Sequence, residues 1–200
     1  MHSHSNGRRY LAGLLVAVAV AALASPHTAS AQGAAMSADL VATKAALAKY
    51  ADPLAAVKDG YFSTLACIDF PKGAVDGPIT YPPGAMGVHF LNPGNIGPKL
   101  DPMKPQVLIY EPHGDKLVLT AAEWLMPVAA AGGVAPSVFG HTLAGPMNGH
   151  EPIMPPSFTH YDLHVWLWKN NPKGMFVSTN SAVHCPKSGA YTVALGSHHH

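Results

Sequence analysis

The segment His160-Tyr161-Asp162-Leu163-His164-Val165-Trp166-Leu167-Trp168 restricts the possible folds more than any other stretch, because its residues alternate between two unlike chemistries. Tyr161, Leu163, Val165 and Leu167 form an apolar row, while His160, Asp162, His164, Trp166 and Trp168 form the other. A period of two places the rows on opposite faces of a β-strand. One face belongs to a core. The other aims imidazoles, a carboxylate and two indoles at one volume, which is what lines a cavity.

A second strand, expected over Leu117–Met126, repeats the anomaly. Glu123 falls in the row Leu117, Leu119, Ala121, Leu125, so a carboxylate points where apolar side chains point. Such a group has to be paired, neutralised or bound to a metal, because an isolated charge in a low dielectric is too costly. Glu111 ends the row Val107, Ile109, Glu111 in the same way, but at a strand end from which it can reach water. His89, in Met86-Gly87-Val88-His89-Phe90, shares its face with Gly87, which leaves room beside the ring.

His89, Glu111, Glu123, Asp162 and His164 are therefore the candidate metal ligands, with Trp166 and Trp168 as candidate ligand-lining residues. Imidazoles with carboxylates suit divalent transition metals, and two His with one carboxylate form a facial triad with open positions. Zinc or copper is expected ahead of iron in an exported protein. His160 and Asp162 also fit such a triad; taken singly, His160 reads as a solvated residue at the strand start. His141, Met147, His150 and Met154 cluster in the long Gly/Pro-rich segment Val128–Phe158, and thioethers select Cu(I), which gives a copper-handling alternative. That segment is expected to act as a lid or rim.

Arg8 and Arg9 followed by the apolar run Leu11–Ala24 and by Ala29-Ser30-Ala31 read as a signal peptide over 1–31, which leaves a single secreted or periplasmic domain over 32–200. The run is shorter than the roughly 20 residues of a membrane-spanning helix, and no later segment is long and apolar enough. The two cysteines, Cys67 and Cys185, are expected to pair in an oxidising compartment, closing a loop worth about 5 kcal/mol of chain entropy. A net charge of +1 without a basic cluster lacks the footprint of a nucleic-acid binder. There is no G-x-S-x-G, no phosphate loop and no H-E-x-x-H. The terminal Gly196-Ser197-His198-His199-His200 reads as a purification-tag remnant.

Leu40, Leu47 and Leu54 recur two helical turns apart, and Asp52-Pro53 breaks the run into a helix to about Tyr50 and a second from Pro53. Strands are expected over Met86–Leu91, Gln106–Glu111, Leu117–Met126, Tyr161–Lys169 and Met175–Thr179, with a last one at Tyr191–Leu195. Pro112-His113-Gly114-Asp115 is a hairpin connection. The expected fold is α+β: N-terminal helices packed on a curved, mainly antiparallel sheet or small barrel.

Met86-Gly87-Val88-His89-Phe90, Tyr110-Glu111-Pro112, Leu163-His164-Val165-Trp166-Leu167-Trp168 and Asn171-Pro172-Lys173-Gly174-Met175-Phe176 resemble a group of uncharacterised secreted bacterial proteins, over about Asp59 to Cys185. The resemblance implies a bacterial, exported, single-domain protein and transfers no activity. Three functions follow from the residues: a cupin-like metal-dependent enzyme acting on a small organic molecule, a small-ligand or metal-binding protein, and a structural domain with a buried polar network.

Overall fold

The computed structural model describes residues 1–2, 36–150 and 154–194, so the expected signal peptide beyond its first two residues and the expected tag remnant lie outside the described residues. The chain divides into the units Met1–Gln32 and Gly33–His200, and the elements below belong to the second.

Helix α1 (Ala38–Leu47) starts at Ser37, whose side chain accepts from the Leu40 N–H, with Asp39 in its first turn and Lys44 in its last, both favourable to the helix dipole. A 3-10 turn over Ala48–Ala51 follows. Helix α2 (Pro53–Lys58) is capped by the Asp52 carboxylate on the Leu54 N–H, with Pro53 at its first position. The break reorients the second helix. The buried face is thus Leu40, Thr43, Leu47 and Tyr50, and Leu54, expected in the same stripe, is exposed.

The strands are β1 (Phe62–Phe70), β2 (Ala74–Asp76), β3 (Ile79–Tyr81), β4 (Gly84–Leu91), β5 (Val107–His113), β6 (Lys116–Pro127), β7 (Ser137–Val138), β8 (His141–Thr142), β9 (Ala144–Met147), β10 (His160–Val165) and β11 (Val193–Ala194). Seven of them form one sheet in the order β11-β1-β4-β5-β6-β10-β9, and two hairpins, β2–β3 and β7–β8, stand apart. Six strands are antiparallel and curl into a half-barrel, while β11 pairs in parallel with β1. A disulfide joins Cys67 on β1 to Cys185, with their Cα atoms 5.6 Å apart. No helix among the described residues is long and apolar enough to cross a membrane.

The two sheet faces differ in what covers them. Val88, Phe90, Leu108, Tyr110, Ala122, Trp124, Leu163 and Val165 pack with Leu40, Leu47, Tyr50 and Ala56 in the main core. The Tyr110 hydroxyl donates to the Tyr50 carbonyl and ties sheet to helix. Residues at alternate positions, Leu91, Val107, Ile109, Ala121 and Trp166, form a smaller cluster. His89, Glu123, Asp162 and His164 share the strand parity of this second set.

Leu117 and Leu119 do not share a face with Glu123. The ladder pairs Ile109 with Ala121 but Tyr110 with Leu119, so Thr120 is an extra residue, and the bulge turns Leu117 and Leu119 toward the main core. Tyr161–Lys169 does not run on as one strand: β10 ends at Val165, and the Trp168 N–H bonds the Thr120 carbonyl. Trp168 therefore packs against the main core while Trp166 stays in the smaller cluster. Met175–Thr179 is not a strand. Conversely β1 runs through a stretch where none is expected, since its register shifts between Ser63 and Cys67 and Leu65 has φ 60°, which spoils the period of two.

Candidate metal centre

Three of four neighbouring strands deliver the donors. His164 on β10 faces Glu123 on β6 across the antiparallel ladder, and β5 separates Glu123 from β4, which carries His89. Across that intervening strand the facing residues are Ile109 and Ala121, and the curl of the sheet lets His89 reach over them. Gly87 is required for this approach. Its φ is +101°, and a Cβ there would lie 2.7 Å from the Tyr110 carbonyl oxygen of β5.

His89, Glu123 and His164 each place one donor atom within 4.8 Å of the others, and all three are buried. His89 Nε2 is 3.5 Å and His164 Nε2 is 3.6 Å from the same Glu123 oxygen, Oε2. These separations are too long for good hydrogen bonds. Donor atoms about 2.0–2.2 Å from one tetrahedral ion, however, stand roughly 3.3–3.6 Å apart. Glu123 Oε2 and both His164 ring nitrogens are buried with no hydrogen-bond partner. His89 Nδ1 is 3.3 Å from the Gly87 carbonyl, which can only accept, so the proton sits on Nδ1 and Nε2 turns its lone pair to Glu123. Lone pair facing carboxylate calls for a proton or a cation between them.

The electrostatics agree. Burial, reinforced by His164 and His150, pushes His89 down to about 3. Burial pushes Glu123 up to about 8 against the pull of His164. Burial also opposes charge on Asp162 and His164, but here the pair outweighs it: His164, His160 and His150 hold the Asp162 carboxyl below its usual value, and Glu123 and Asp162 raise His164. His164 Nδ1 stands 3.8 Å from Asp162 Oδ1, close enough for charge attraction and beyond hydrogen-bond distance.

Glu111 is not brought to this cluster. Its carboxylate pairs with Lys169, lies 2.9 Å from His113 Nε2 and accepts from the His184 N–H at 2.9 Å. The Trp166 indole donates to the Val177 carbonyl, and Trp168 packs against the other core. The opening toward the cluster is a cleft of about 370 Å³ that includes Tyr81, Met147, Asp162, His164 and Phe176.

His160, read from the sequence as solvated, is fully buried and faces Asp162 at 3.9 Å. Of the proposed soft-ligand loop, Met147 and His150 meet at the Tyr81 hydroxyl, with His150 also approaching His160 and Asp162, whereas His141 is exposed against Phe176. Tyr81 carried no sequence signal, since only the hairpin β2–β3 brings it here. Comparisons with protein families, with curated proteins and with solved structures find no match, so function has to be read from the site itself.

Proposed function

We propose that this is an exported metalloprotein that holds a divalent transition metal, zinc or copper, on His89, Glu123 and His164 and presents it to a small organic molecule. The observation that carries the reading is a buried, unpartnered carboxylate oxygen standing 3.5 and 3.6 Å from two imidazole nitrogens. A structural polar network would satisfy such atoms, because an unmade buried hydrogen bond costs about 1–3 kcal/mol. Three protein ligands leave a coordination position open, and an ion there supplies Lewis-acid polarisation or a low-pKa water. The cleft beside Tyr81 and Met147 is the route by which a substrate reaches it. The likeness to cupins is one of logic, His and Glu inside a curled sheet. The disulfide and the signal pattern support an oxidising, exported location.

A non-catalytic metal-binding role is favoured by a different observation: the side chains of His89, Glu123 and His164 are only 6, 3 and 1% exposed. Elemental analysis of protein purified without chelator tests the centre itself. Glu123→Gln is expected to hold one equivalent less metal than the parent chain, and equal contents would overturn the reading. Azide added to the cobalt-loaded protein then separates the two roles. A shifted visible spectrum marks an accessible position and supports an enzyme, whereas an unchanged one supports storage.

A further inference from the structure

A second set of donors lies beside the first and shares none of its three residues. His150, His160 and Asp162 each place one donor atom within 4.8 Å of the others. His160 Nδ1 is 3.1 Å from the Phe158 carbonyl, so that nitrogen carries the proton and Nε2 keeps its lone pair. Nε2 is buried without a hydrogen-bond partner, and so is the Asp162 Oδ2 it faces. Their 3.9 Å separation is too long for a hydrogen bond and a few tenths of an ångström beyond the spacing of two donors on one tetrahedral ion.

The ring of His150 is held in place as well. The Tyr81 hydroxyl donates to Met147 Sδ at 3.2 Å, so its one proton is used there. Its oxygen stands 3.4 Å from His150 Nε2, a contact that fixes the position of that ring. The imidazoles of His150 and His160 meet edge to face, with centroids 5.9 Å apart.

We propose that His150, His160 and Asp162 form a second centre for a divalent transition metal, adjacent to the first and joined to it by Asp162. One carboxylate oxygen of Asp162 faces the second centre, while the other faces His164 Nδ1 at 3.8 Å. Two imidazoles and one carboxylate select zinc or copper over magnesium or calcium. The orphaned donors of the second set are distinct atoms from those of the first, so this assignment does not depend on the function proposed above.

The test is a zinc count on full-length variants after equilibrium dialysis, with folding checked by circular dichroism. The terminal histidines are common to all variants, so differences report the internal centres. His160→Asn and His150→Ala are each expected to hold one zinc less than the parent chain, and Glu123→Gln/His160→Asn two less. His150 lies at the rim, 9% exposed, so its variant carries the test if the fully buried His160 does not tolerate replacement. Parent-level zinc in folded His150→Ala and His160→Asn would overturn the second centre. If Glu123→Gln keeps the parent count while His150→Ala loses one zinc, the second centre stands and the first falls.

Discussion

His164 on β10 lies directly opposite Glu123 on β6, and its Nε2 stands 3.6 Å from the carboxylate oxygen that His89 approaches from two strands away. Directly opposed residues in an antiparallel pair have their Cβ atoms about 4.5–5.5 Å apart, so the ladder itself sets this distance. The site therefore rests on rigid elements, as preorganised donors require.

Glu123→Gln keeps the shape and removes the charge. It is expected to abolish metal binding at the first centre while leaving the fold intact. Glu123→Leu should also abolish binding, yet stabilise the chelator-treated protein by about 1–4 kcal/mol, because an unpaired buried carboxyl is replaced by packing. Chemical denaturation with and without chelator measures this. Undiminished metal binding in the Leu variant would make Glu123 a tolerated core defect.

His164→Ala is expected to remove one equivalent from the calorimetric signal for a divalent transition metal at neutral pH, that of the first centre. His113→Ala should leave it unchanged, since His113 is an exposed partner of Glu111 on the far side of a hairpin. Binding to the parent chain should fade as pH falls through the imidazole range, because a protonated ring cannot coordinate. Equal uptake by both variants would point to scattered surface chelation.

Glu111 makes a separate prediction about acid stability. Burial works against its charge, but Lys169, His113 and the His184 N–H outweigh it and hold the carboxyl below its ordinary 4.5. A depressed carboxyl contributes stability that is present above the unfolded value and lost as pH falls toward the folded one. Glu111→Gln should thus lower stability at pH 7 by about 1.5–3 kcal/mol and make the decline below pH 4.5 shallower, with metal content unchanged. Melting curves between pH 3 and 7 provide the check.

Gly87→Ala places a Cβ 2.7 Å from the Tyr110 carbonyl oxygen and 3.0 Å from Ile109 Cγ2, at a φ that alanine resists. It is expected to cost about 1–3 kcal/mol and, by displacing the carbonyl that orients His89, to weaken metal binding about 10–100-fold. Parent-level affinity in the folded variant would show that His89 needs no such support.

Strand periodicity made much of the sheet legible. β4, β5, β6 and β10 were expected close to where they lie, as were the Pro53 helix start and the Pro112–Asp115 hairpin, because alternation and turn chemistry are local properties. The Cys67–Cys185 pairing was expected from export and an even count, and the disulfide is present. Glu123, His89, Asp162 and His164 stood out because each breaks or loads a strand face, a defect visible within a few residues.

What the sequence could not determine depends on distance along the chain. The bulge at Thr120 and the end of β10 at Val165 arise from partner strands and redirect Leu117, Leu119 and Trp168 to the other face. Glu111 occupied the same kind of row as Glu123, yet Lys169, 58 positions away, claims it for an ion pair. His160 gave no local sign of burial; His150 meets it only through the segment after β9, and Tyr81 meets His150 only through the β2–β3 hairpin. Local pattern thus decided which side chains share a strand face, whereas the curl of the sheet and the packing of distant loops decided which of them share a volume, and a metal centre is a property of the volume.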